Sequence, residues 1–327
     1  MQKCIFFTKA YNAEGTLSRT IESVLAQTHD NWLYYCVNNG SRDRTGTIIR
    51  EYAKKDHRIF PLTNKKNHVP EPGNTWPDIA KQCKDEDLMC FLDADDEYKP
   101  DFLEKMLAFM AENTLDIAAC ANDYIDAQSK RITRIRQINT MLLLEGKDFD
   151  EHFILYLPFM RTVWGKLYKI SVLRKFDLTH QYPGVYGGDF FFAVENFRNA
   201  NRVGILADSL HKYYRSKQSV SHKWDATRLE FARLFEDVAR TFLIDKCGSV
   251  SPQNDRFLKR AYLAVILSSL RVLFRADLRL REKLRHVRDI FTSDKTKELF
   301  RRGYIWRDIL RFAYEELFLL KASGTMR

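Results

Sequence analysis

The chain has 327 residues, 45% of them hydrophobic and 13% aromatic, which is enough apolar side chain to fill a folded core and excludes wholesale disorder. Its formal net charge of +10 is uneven, because residues 225–327 hold 22 Lys/Arg against 14 Asp/Glu. That balance suits an acidic partner, either nucleic acid or an anionic membrane surface, or simply a solvated helical face; with no recognisable nucleic-acid-binding module no nucleic-acid partner is expected.

In chain order, short β-rich apolar runs alternate with helically spaced ones: residues 4–8, 32–37 and 88–92 predict strands, and 17–25, 45–52 and 102–110 predict helices. This alternation predicts βαβ units, a Rossmann-like, mostly parallel sheet with flanking helices. Residues 116–121 predict a further strand, whereas the polar stretch 122–136 reads as loops. Pro183, Gly184, Gly187 and Gly188 predict a loop that runs into a helix over residues 189–197. From Asp225 onward glycine and proline nearly vanish, and Leu229, Ala232, Phe235, Val238, Ala239 and Phe242 make one apolar helical face. A boundary is therefore expected near residue 224, dividing an α/β domain (1–224) from a basic, all-α C-terminal region (225–327) that serves packing, homo-oligomerisation or peripheral membrane docking. That region ends in a stripe of Ile305, Trp306, Ile309, Phe312, Ala313 and Leu317, which either packs on neighbouring helices or lies on a membrane surface.

The six cysteines, Cys4, Cys36, Cys83, Cys90, Cys120 and Cys247, form neither a CxxC pair nor a zinc-site spacing, so free thiols in a reducing compartment are expected. The longest apolar run, residues 261–270, is too short to span a bilayer, and the N-terminus lacks the layout of a signal peptide. A cytoplasmic location is expected, with any membrane contact peripheral.

The chemistry-bearing residues lie at strand ends. Asp93, Asp95 and Asp96 directly follow an apolar strand, where open α/β sheets bind their ligands. Carboxylates packed this closely repel one another unless a cation neutralises them, and Mg²⁺ or Mn²⁺ takes oxygen ligands from such a set together with the phosphates of a substrate. Two further strand ends, Thr8-Lys9-Ala10-Tyr11-Asn12 and Asn38-Asn39-Gly40-Ser41-Arg42-Asp43, fall on the same rim of a parallel sheet. There Tyr11 offers a ring for a base to stack on, and Asn39 an amide for its edge. The Asn38 to Asp43 segment equally suits a turn that caps the following helix.

These motifs, with Ile21-Glu22-Ser23-Val24-Leu25-Ala26-Gln27-Thr28, Trp164-Gly165-Lys166-Leu167-Tyr168-Lys169, Gly188-Asp189-Phe190-Phe191 and Tyr213-Tyr214-Arg215, are collinear over about residues 1–220. Together they resemble a family 2 glycosyltransferase of the GT-A fold. The resemblance implies an inverting transfer from a nucleoside diphosphate sugar to an acceptor hydroxyl on a glycan, lipid-linked or protein acceptor, assisted by a divalent metal. It implies that Thr8, Tyr11 and Asn39 hold the base, Asp93 the ribose and Asp95 the metal. Ala10, Asn12, Glu14, Lys66, Ala94 and Arg215 complete the expected nucleotide-sugar site.

Asp189 matches the family's catalytic base, and a positioned carboxylate is what an acceptor hydroxyl needs to lose its proton as it attacks. The other reading of Asp189 is a helix cap. Arg215, Lys217 and His222 are candidates to fold over the leaving diphosphate. Trp164 and Lys166 are either acceptor contacts or a core indole and a lysine paired with a carboxylate. The chain departs from the family at Asn38-Asn39, where relatives carry two aspartates, so UDP is favoured as the donor nucleotide but not dictated. It departs again in the proline-rich stretch 67–78, where Lys65 or Lys66 takes the place of the usual arginine. A catalytically silent relative that binds nucleotide or partners through its helical tail is the alternative, and the presence of Asp93, Asp95 and Asp189 disfavours it.

Overall fold

A computed structural model describes residues 2–67, 71–177, 186–216 and 223–301. Its first half runs β1 (Cys4–Ala10), α1 (Leu17–Leu25), β2 (Trp32–Asn39), α2 (Thr45–Lys55), β3 (Ile59–Asn64), α3 (Trp76–Ala80), β4 (Leu88–Phe91), β5 (Glu97–Tyr98), α4 (Phe102–Glu112) and β6 (Ile117–Asp126). It continues through β7 (Ile132–Arg136), β8 (Leu142–Leu144), α5 (Asp148–Glu151), α6 (Phe153–Met160), β9 (Lys166–Lys169), α7 (Ile170–Leu173), α8 (Gly188–Asn199) and β10 (Val203–Arg215). Four helices close the described chain: α9 (Thr227–Cys247), α10 (Pro252–Arg275), α11 (Leu280–Thr292) and α12 (Asp294–Arg301).

The strands form one sheet in the order β3-β2-β1-β4-β9-β6-β10-β5, with β7 paired to β6 and β8 to β10. The expected parallel arrangement is present in β3-β2-β1-β4 and in the β6 and β10 pair. Strand β9 joins these two blocks by running antiparallel to both β4 and β6, so the sheet as a whole is mixed. Period-two alternation assigns each strand's side chains to two cores. Ile5 and Phe7 of β1, Met89 and Phe91 of β4, and Ile117 and Ala119 of β6 face one core with α8, α9 and α10. Cys4 and Phe6, Leu88 and Cys90, and Ala118 and Cys120 face the other, covered by α1, α2 and α4.

One expectation is corrected. The polar stretch 122–136 is not loop: β6 continues to Asp126 and turns into β7. Asn122 and Asp123 are buried, and what makes them tolerable inside a sheet is pairing that lies elsewhere in the chain. Asn122 Oδ1 accepts from Arg136 Nε at 2.8 Å, while Asp123 accepts from Ser209 Oγ at 2.6 Å and pairs with Lys99 Nζ at 2.8 Å.

The C-terminal helices begin and end where local chemistry places them. Gly248, at φ +77, terminates α9 in the left-handed conformation, and Ser251 Oγ accepts from Asn254 N ahead of Pro252 to start α10. The predicted apolar face of α9 is buried through Leu229, Ala232, Phe235, Ala239 and Phe242, in the core that α9 shares with α10, α8 and α5. The stripe from Ile305 to Leu317 lies outside the described residues. All six cysteines are free thiols. Among the described residues no helix is long and apolar enough to cross a membrane.

Candidate active site

Parallel pairing puts the ends of β1, β2 and β4 on one rim. The turn after β4 carries Asp93, Ala94, Asp95 and Asp96, and helix α1 clamps its backbone. Thr16 Oγ1 donates to Ala94 O at 2.8 Å, Arg19 Nη2 to Asp95 O at 2.5 Å, and Thr20 Oγ1 to Asp96 O at 2.9 Å. Residues 16, 19 and 20 share one helical face, so a single side of α1 holds three successive carbonyls. The carboxylates of Asp93 and Asp95 are thereby left facing solvent.

Asp93, Asp95 and Asp96 offer oxygen atoms all within 4.8 Å of one another. Asp93 reaches solvent but is crowded by protein on its other sides, and that desolvation, reinforced by the charges of Asp189 and Asp95, pushes its carboxyl up to about 8. Asp95 is also raised by desolvation, with the nearby Arg19 opposing the shift. An all-oxygen set of mutually repelling carboxylates fits a hard divalent cation, which would replace the proton that Asp93 otherwise holds. Asp96 is different: it is fully buried, and its Oδ1 accepts from Tyr214 N at 2.8 Å. Of the three, Asp93 and Asp95 are the carboxylates presented outward.

Behind the turn lies a buried polar cluster that sequence reading missed. His211 on β10 places Nε2 3.4 Å from Asp96 Oδ2, both side chains having no solvent exposure. Arg136 donates to Asn122 Oδ1, which turns the Asn122 amide nitrogen toward His211 Nδ1 at 3.5 Å. An amide N–H only donates, so Nδ1 is the acceptor and the ring proton sits on Nε2, facing Asp96. Burial, with Arg136 and Lys166 close by, drives His211 well below its ordinary pKa and keeps the ring neutral. Burial next to Asp93 and Asp95 drives Asp96 upward.

The two residues read either as acceptor contacts or as a core indole and a paired lysine are both buried. Trp164 is 4% exposed and stacks on His211 and Tyr213 at centroid distances of 4.5 and 5.0 Å. Lys166 is buried and donates from Nζ to the carbonyls of Thr162 and Trp164, and among the described residues it forms no ion pair with a carboxylate. The indole of Trp164 is thus packed inside, on the rings of His211 and Tyr213.

On the nucleotide side, Tyr11 is 45% exposed, which leaves its ring available. Thr8 is buried, and its hydroxyl bridges strands by donating to Leu92 O and accepting from Tyr34 Oη. Ala10 is likewise buried. Asn12 and Glu14 sew the β1 loop to the β2 loop: Asn12 Oδ1 accepts from Arg42 N and Glu14 Oε2 from Arg44 N. Asn39 is 3% exposed and its amide is engaged, donating to Asn67 Oδ1 at 2.6 Å and accepting from Asn64 Nδ2 at 2.9 Å. Asn64 in turn accepts from Glu71 N and Asn74 Nδ2. The strand-end rule that singled out Asn39 would have found Asn64, which closes β3. Gly40, at φ +74, lets the β2 loop approach residues 66 and 67, because a Cβ there would stand 2.6 Å from Asn67 N. Lys66 is exposed beside it, and Arg215 is exposed at the end of β10. Lys217 and His222 lie outside the described residues.

Asp189 sits in the first turn of α8 and reaches solvent. Desolvation raises its carboxyl above the ordinary range, with Lys166 opposing, and its charge is among those that raise Asp93. The entry to α8 depends on Gly187, at φ +83, where a Cβ would stand 2.5 Å from the ring of Phe231 on α9. Gly187→Ala is expected to destabilise the fold by about 1–3 kcal/mol through overpacking and left-handed strain together, read as a lowered urea midpoint. An unchanged midpoint would show that α9 does not buttress this turn.

A family model described as "Glycosyl transferase family 2" matches residues 6–177. The chain is 25% identical over 299 residues to the uncharacterized glycosyltransferase YibD of Escherichia coli, covering 88% of this chain and 84% of that protein. Its fold is similar to that of S. aureus TarS residues 1–349 in complex with UDP-GlcNAc, with a TM-score of 0.58, 16% identity and 92% of each chain covered. It is also similar to the mannosyltransferase PcManGT of Pyrobaculum calidifontis in complex with GDP-Man and Mn²⁺, with a TM-score of 0.51, 13% identity, and 92% and 84% of the two chains covered.

Proposed function

Because the chain belongs to glycosyl transferase family 2 and is a glycosyltransferase, we propose that it carries out an inverting, metal-assisted transfer of a sugar from a nucleoside diphosphate sugar, UDP-linked by first preference. The acceptor is a hydroxyl of a glycan, of a lipid-linked sugar or of a protein. The observation that carries this reading is the acidic turn after β4, whose Asp93, Asp95 and Asp96 bring carboxylate oxygens within 4.8 Å of one another on the rim shared by the ends of β1, β2 and β4.

In this reading the ring of Tyr11 receives the base, and the Asn39, Asn64 and Asn67 amides form the wall that base meets. Asp93 binds the ribose, Asp95 holds Mg²⁺ or Mn²⁺, and Lys66 and Arg215 lie at the rim for the phosphates. The cation, when bound, supplies the positive charge that stabilises a leaving diphosphate. Asp189 accepts the proton of the acceptor hydroxyl as its oxygen attacks the anomeric carbon from the face opposite the diphosphate, which inverts that centre. Trp164 and Lys166 act from within the wall. Residues 1–224 carry these groups, and Phe231 of α9, the first of the C-terminal helices, supports the turn before α8.

The test is a panel of nucleoside diphosphate sugars with Mn²⁺ or Mg²⁺, scored by thermal shift and donor hydrolysis for the wild type and for Asp95→Ala. A cation-dependent rise in Tm with one nucleotide class, lost in Asp95→Ala, is expected. No stabilisation by any nucleotide, or equal stabilisation of the variant, overturns the assignment.

A further inference from the structure

Helix α11 is seated on the body by one side only. Ile290 is buried, His286 lies against Trp224 at 5.2 Å, and Lys283 Nζ donates to Phe274 O at 3.0 Å. The opposite side carries two adjacent rows. Leu280 and Leu284, one turn apart, are 69% and 55% exposed, and Phe274 at the end of α10 is 57% exposed. Next to the leucines, Arg281, Arg285 and Arg288 repeat at i, i+4 and i+7, all exposed. Among the described residues none of these three arginines forms an ion pair. Large aliphatic side chains left in water are unfavourable, and a row of cations beside them repeats the layout of helices that lie in a membrane interface.

We propose that this face of α10 and α11 docks on an anionic lipid surface, with Phe274, Leu280 and Leu284 entering the headgroup boundary and Arg281, Arg285 and Arg288 meeting lipid phosphates. Charge complementarity selects this occupant. A second copy related by two-fold symmetry would bring like-charged arginine rows together, and nucleic acid has no use for the leucine row.

The experiment is flotation of the full chain with vesicles of phosphatidylcholine alone and of phosphatidylcholine mixed with phosphatidylglycerol, at low and high salt. The wild type is expected to float with the anionic vesicles and to lose binding with salt. Each arginine replaced by Gln lowers the partition about five-fold, and Arg281→Gln/Arg285→Gln/Arg288→Gln together on the order of a hundred-fold. Leu280→Ser/Leu284→Ser lowers it on both vesicle types. All variants keep the wild-type Tm and donor hydrolysis without vesicles, because the altered side chains are exposed. A wild type that stays unbound, or variants that float as well as it does, overturns the proposal. So does a dimer that the leucine variant dissociates without any flotation, or salt-sensitive binding to duplex or single-stranded nucleic acid in place of vesicles. Flotation needs no sugar donor, so its outcome is separate from that of the transfer reaction.

Discussion

An Asp189→Asn enzyme is expected to bind donor and cation as the wild type does and to lose about 10²–10⁴-fold in kcat, the usual contribution of a positioned general base. The split between intact binding and lost turnover is what distinguishes a base from a helix cap. A cap mutation would lower stability and leave the rate per folded molecule alone, the more so as Asn caps helices as well as Asp. The pH profile adds a second readout. Desolvation raises the carboxyl of Asp189, so its basic form is lost already above the ordinary carboxylate range as pH falls. The wild-type kcat/KM is therefore expected to fall on the acid side of a limb set above that range and to level off on the alkaline side. In Asp189→Asn that limb is absent. Steady-state kinetics across pH, with the donor affinity measured separately, checks both. Turnover of the Asn enzyme equal to wild type would remove Asp189 from the mechanism.

An Asp96→Ala variant is expected to be among the least stable single substitutions at the site. It orphans Tyr214 N, which donates to Asp96 Oδ1 at 2.8 Å in a region closed to water. A buried donor left without a partner costs about 1–3 kcal/mol. Burial raises Asp96 above the carboxylate range, so the stability it contributes as a protonated or hydrogen-bonded group is complete at low pH and declines as pH rises through its folded pKa. The alanine variant should lose that slope. Urea denaturation at several pH values measures both the drop in midpoint and the slope, and a variant as stable as wild type would show that the couple does not anchor the turn. The companion variant Asp96→Asn keeps an acceptor for Tyr214 N and is expected to recover part of the loss.

Local pattern was enough for much of this molecule. Strands β1, β2, β4 and the start of β6 alternate or run apolar in short bursts, and α1, α2, α4 and α9 carry apolar faces at helical spacing, so their types followed from periodicity alone. Strand β10 escaped because a register irregularity between Leu206 and His211 breaks its alternation. The end of β6 escaped because Asn122 and Asp123 look like loop residues until Arg136, Ser209 and Lys99 are brought to them.

What the sequence by itself determined is the kind of fold and the address of the chemistry. Carboxylates and amides placed immediately after apolar strands must sit on a sheet rim, whatever the rest of the chain does. What only the tertiary structure decided is which of those groups face outward. Trp164 and Lys166 read equally as acceptor contacts or as core residues, and close packing buries both. Asn39 reads as a free amide, yet Asn64 and Asn67 occupy it. Asp96 reads as one more carboxylate of an acidic turn, yet the pairing of β10 with β6 carries His211 and the Tyr214 amide to it. The physical reason is common to all three. A polar side chain's role depends on whether it is desolvated and by which partner, and those partners come from strands that meet only after the chain has folded.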